Sequence, residues 1–168
     1  MDRKQIESMI GRYCISETED GRLRAGRPGN DIEIIKAAKD DIINYYKEIK
    51  QEREERVRKI EAIEGLKELE KARSEWRKYH YEFNRIMESG DSIFPARPEI
   101  DPDEIAKIYP RAAAYIKAES YASARNVDKY SAGKKALERI INGEDYEVVI
   151  TEMESEWKAA ALNAVMFN

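Results

Sequence analysis

Residues 32–87, IEIIKAAKDDIINYYKEIKQEREERVRKIEAIEGLKELEKARSEWRKYHYEFNRIM, decide the fold class. Ile32, Ile35, Ile42, Tyr46 and Ile49 recur at steps of three, four or seven residues, and Val57, Ile60, Ile63, Leu66 and Leu69 at steps of three. Trp76, Tyr79, Phe83 and Ile86 continue the series. This spacing places the apolar side chains on one face of a long helix or of two helices in series. Between the apolar groups lies KQEREERVRK (50–59), whose opposite charges at three- and four-residue spacing support an exposed helical arm. Gly65 interrupts the pattern. After it, Leu66, Leu69, Arg73, Trp76, His80, Phe83 and Met87 keep a strict step. Arginine and histidine on that seam argue against a coiled coil. They favour an antiparallel helical hairpin or a helix packed on the C-terminal part.

Working outward, residues 2–12 predict a short amphipathic helix capped by Asp2, with Ile6, Met9, Ile10 and Tyr13 on one face. Tyr13–Thr18 and Arg22–Ala25 flank Glu19-Asp20-Gly21, a hairpin signal. Gly26–Asn30 is a loop, and Asn30 or Asp31 caps the next helix, which runs from near Asp31 through the charged arm. Three of the five prolines lie in Ser89–Pro102, so no regular element crosses it; Ile93, Phe94 and Ile100 would anchor it on apolar surface. Asp101 and Pro102 open another helix, which Tyr109-Pro110 ends or kinks. Arg111–Arg125, Ser131–Asn142 and Glu144–Val165 read as three further helices, with Asn142-Gly143 as a stop. The expected fold is mainly α: an N-terminal helix plus β-hairpin, a long helical arm and a globular helical C-terminal half. The segments are 1–48 (helix–hairpin–helix), 49–88 (long helix or helical hairpin), 89–102 (linker) and 103–168 (C-terminal helical domain).

Composition bounds the chemistry. The 168 residues suit a modest core, and charged residues reach 38%. No run approaches a membrane span, and MDRKQIESMIGRY lacks the apolar core of an export signal. One cysteine, Cys14, cannot form an internal disulfide, which suits a cytoplasmic setting, and its expected role is structural. One histidine, His80, lies between Trp76 and Phe83 and reads as a core or interface residue. A structural zinc site lacks ligands, and neither a cofactor nor an enzymatic reaction is expected. Asp103, Glu104 and Lys107 superficially match a nuclease signature, but they fall within one helical start, whose positive end favours acids. Ser131–Lys135 holds a Gly-Lys pair without the rest of a phosphate loop and reads as another helix start.

Charge is uneven although the net value is −4. Residues 111–139 hold seven Lys/Arg against three Asp/Glu: Arg111, Lys117, Arg125, Lys129, Lys134, Lys135 and Arg139, accompanied by Tyr109, Tyr115, Tyr121 and Tyr130. Such a mixture can hold phosphates and stack bases, so it is the candidate nucleic-acid surface. A sequence pI near 5.3 argues against a dedicated nucleic-acid binder. Residues 144–168 hold six Asp/Glu against one Lys. Glu147, Glu152, Glu154 and Glu156 form a candidate acidic face for a basic partner groove; otherwise they are the solvated side of the last helix.

Two stretches resemble known groups. GRLRAGRPGNDIEIIKAAKDDIINYY (21–46) resembles the strand–loop–helix pattern of small docking modules found at the N-termini of some synthases. YPRAAAYIKAESYASARNVDKYSAGKKALERIINGEDYEVVITEMESEW (109–157) resembles the C-terminal half of small proteins carried by phages and mobile elements of anaerobic Gram-positive bacteria. The second resemblance implies a mobile-element origin. In that setting, small acidic helical chains serve as inhibitors of bacterial defence, anti-CRISPR proteins among them. The expectation is a non-catalytic inhibitor of a host nuclease in the host cytoplasm, with an RNA-guided type II effector as partner. The alternative is a DNA-binding accessory protein, and dimerisation through the long helix is open to either.

Overall fold

The computed structural model describes residues 1–27, 29, 31–90 and 93–166, the last four as backbone only. The fold is mainly α, with one two-stranded antiparallel hairpin after the first helix. No helix among the described residues is long and apolar enough to cross a membrane. The backbone divides into two compact units, Met1–Val57 and Arg58–Asn168.

In the first unit, α1 (Arg3–Tyr13) opens with a capping box in which the Asp2 carboxylate accepts from the Gln5 amide at 2.8 Å. Cys14 ends it in the left-handed region at φ 49°. Its side chain is exposed, and its amide donates to the Ile10 carbonyl as the cap of α1. The hairpin follows, β1 (Ile15–Glu17) against β2 (Leu23–Ala25), with Ile15 opposite Ala25 and Glu17 opposite Leu23. Its turn uses Gly21 at φ 76°, and the Thr18 amide donates to the Arg22 carbonyl at 2.8 Å.

The single helix expected from Asp31 is two: α2 (Ile32–Ala37) and α3 (Lys39–Glu61), separated at the buried Ala38. Asp31 makes no side-chain cap; its carboxylate accepts instead from the Tyr13 hydroxyl at 2.8 Å. Asn30, the alternative cap, lies outside the described residues. Ile6, Tyr13, Ile15, Ala38 and Ile42 make this unit's core. Ile32 falls out of it, 47% exposed. The charged arm is tied to α1, because Arg3 donates two hydrogen bonds to Glu52, at 2.8 and 3.1 Å.

In the second unit, α4 (Leu66–Ser89) begins after Gly65 at φ 72°. The Tyr109 ring sits where a Cβ would stand on Gly65, so that turn accepts only glycine. Helix α4 packs on α5 (Pro102–Ile108) and α6 (Pro110–Ala122), one of the two arrangements expected from the sequence. Asp101 caps α5 by accepting from the Asp103 amide at 2.9 Å, and Asp103 and Glu104 stand in its first turn.

Helix α7 (Val127–Ile141) starts four residues earlier than the sequence suggested, because Asn126 caps it by accepting from the Lys129 amide. Ser131–Lys135 is therefore helix interior, not a helix start. Gly133 there is the point where α7 lies against the backbone of Tyr121 and Ala122. Helix α8 (Tyr146–Met166) is capped by Asp145, which accepts from the amides of Glu147 and Val148. Alanines of α6, with Leu137, Ile140, Val149 and Met153, form the centre of a core that also takes in Ile63, Leu66 and Leu69.

Candidate interaction surface

The seven basic residues do not form one free face. Arg111 donates to the Ile140 carbonyl, tying α6 to the end of α7. Lys117 pairs with Glu154, Lys135 with Glu156 at 3.3 Å, and Arg139 with both Glu144 and Glu152. The Lys117 ammonium, hydrogen-bonded to it, holds the Glu154 carboxyl below the ordinary glutamate range. Lys129 lies over the Tyr121 ring at 4.4 Å and Lys134 over Tyr130 at 4.8 Å. Arg125 is exposed.

The acidic residues meet the same pairing from the other side. Glu152, Glu154 and Glu156 are the partners of Arg139, Lys117 and Lys135, while Glu147 is exposed at the first turn of α8. Blocks of opposite charge, separate in sequence, are thus interlocked along α6, α7 and α8. Three of the seven basic residues and three of the four candidate acidic residues pair in this way.

A surface that the sequence reading did not single out lies on α4. Leu66, Leu69 and Ala72 are buried, but further along the stripe Trp76, Tyr79 and Phe83 are half-buried, while His80 and Met87 are exposed. The stripe outruns the helices that cover its start. Ile86, not Met87, is the buried residue near the end of α4. His80 is therefore a surface residue, which removes the core half of the core-or-interface expectation and leaves the interface half open. Its ring touches those of Trp76 and Tyr79, each with centroids 5.5 Å away.

The chain after α4 returns to this stripe. Phe94 sets its ring 5.2 Å from that of Phe83, and Arg97 lies over Trp76 at 4.9 Å. The Ile100 carbonyl accepts from the Trp76 indole nitrogen at 2.6 Å. Ile100 is thus held by its backbone, since its side chain is exposed, and Ile93 is 83% exposed rather than an anchor. Asp91 and Ser92 of the linker lie outside the described residues.

The result is a patch of fixed aromatic rings with arginines beside it. Tryptophan, tyrosine and arginine are the residue types that dominate the energetics of protein interfaces. The signal was in the sequence as WRKYHYEF followed by IFPARP, the first read as helix seam and the second as linker. No protein-family model, curated protein or solved structure matches the chain.

Proposed function

We propose that this chain is a non-catalytic binding protein that works by occupying a partner protein. The observation that carries this reading is the patch on α4 in which half-buried Trp76 and Phe83 stand beside exposed His80, Met87 and Phe94, stiffened by the Trp76–Ile100 hydrogen bond and the Arg97 cover. Rings already held in place lose little conformational freedom on binding. The interlocked charges of α7 and α8 favour the α4 patch over the acidic helix as the contact. Of the seven basic candidates in residues 111–139, they leave Arg125, Lys129 and Lys134 without an ion pair among the described residues for a DNA-contact reading.

For the target we propose a host defence nuclease of the RNA-guided type II kind, by analogy with anti-defence proteins of the mobile-element setting that the resemblance of residues 109–157 implies. The test is a cleavage assay in which the chain is titrated against the assembled nuclease. Occupancy requires inhibition that saturates near one equivalent and survives removal of any metal not needed by the nuclease. Inhibition at strongly substoichiometric amounts would mean turnover and would overturn the reading.

A further inference from the structure

Beside the aromatic patch, α4 and the helices it packs on enclose a shallow cleft of about 420 Å³. Ala106 and Ala113 give it a small apolar lining over the buried Leu69, and Trp76, Arg73 and Arg77 also line it. The two arginines are exposed and one helical turn apart. Arg73 and Arg77 take no ion pair among the described residues, as is also the case for Arg12, Arg24, Arg85 and Arg125; what sets the two apart is that they line the same cleft. Against these cations and His80, one carboxylate, Asp103, lines the cleft, while Glu70 and Glu119 line the neighbouring groove that Arg73 and Arg77 also border.

Resting on the reading of the chain as a binding protein, we propose that this cleft receives an acidic segment of the partner that carries one apolar or aromatic anchor. The anchor enters between Trp76 and the Ala106–Ala113 lining. Carboxylates spaced to match one turn of α4 take the two guanidiniums, whose planar forks suit them in pairs. An amide or hydroxyl of the same segment can face Asp103. A nucleic acid, with a phosphate at every residue, lacks that freedom. The rings also disfavour base stacking: Trp76 and Tyr79 meet at 72°, Tyr79 and His80 at 65°, and Arg97 already covers a face of Trp76.

The test uses the full chain and a fluorescently labelled synthetic peptide of glutamates and aspartates around a single phenylalanine, followed by anisotropy at low salt. Saturable binding is expected, weakened roughly tenfold or more by Arg73→Glu with Arg77→Glu, and similarly by glycine in place of the peptide's phenylalanine. The circular-dichroism melting temperature of the double variant should match that of the unaltered chain, because both side chains are exposed. Absent binding, binding indifferent to the charge reversal, or a tighter preference for oligothymidylate would each overturn the proposal. Nuclease inhibition that survives the charge reversal would sink the cleft and spare the target. Peptide binding without any effect on the nuclease would do the opposite.

Discussion

At the residue scale, Gly133 shows how little room the second unit leaves. A Cβ built there would stand 2.2 Å from the Ala122 amide nitrogen and 2.6 Å from the Tyr121 carbonyl carbon, both backbone atoms that cannot swing aside. Alanine gains about 1 kcal/mol of helix propensity over glycine. Forcing α6 and α7 apart costs roughly 1–3 kcal/mol, as overpacking does. Gly133→Ala should therefore lower the melting temperature in a thermal scan, and an unchanged or raised value would contradict the packing described. The sequence showed this glycine only as half of a Gly-Lys pair. What it could not show is which helix lies across it, since that depends on residues 121 and 122 in a different element. His80 carries the same lesson. Its spacing is that of a buried seam, but burial depends on a covering helix, and the cover from α5 and α6 runs out before it.

At the element scale, the docking of α8 on α6 and α7 combines apolar contacts of Val149 and Met153 with the pairs Lys117–Glu154, Lys135–Glu156 and Arg139–Glu152. Such exposed pairs are weak singly and matter as a set. Changing Glu152, Glu154 and Glu156 together to Lys should lower the melting temperature. Adding Lys117→Glu, Lys135→Glu and Arg139→Glu should restore most of the loss. Failure of the second set to rescue would show that the pairs do not form in solution.

The sign of the pH effect follows from Glu154. Its folded carboxyl titrates below the unfolded one, so its contribution is present above the ordinary value of about 4.3 and fades as pH falls through the folded value. A nuclear magnetic resonance titration should place its midpoint below that of an unfolded glutamate, and Lys117→Met should raise it. The helices themselves were legible from apolar spacing and from breakers such as Pro102, Pro110 and Gly143. The boundaries that moved, at Ala38 and Asn126, are set by a tight turn and an asparagine cap that carry little periodic signal. The two charged blocks were equally plain in the sequence. That they face each other was not, because pairing is a property of the helix packing.

At the scale of the whole molecule, each unit has its own core, and the two cores share no residue. Ile42 is fully buried in the first. Ile42→Ala should cost about 2–5 kcal/mol there. Faster amide exchange is expected across residues 1–57, with the rates of α6 and α7 unchanged. Acceleration spread evenly over both units would contradict separate cores.

The claim on which the functional account rests is that binding uses α4 and the segment that returns to it, rather than the acidic helix. The most direct measurement is a hydrogen–deuterium exchange footprint of the chain with and without one equivalent of the RNA-guided nuclease. The account predicts slowed exchange over residues 73–87 and 94–100, with little change over 147–156. Protection centred on 147–156, or none anywhere on the chain, would contradict it.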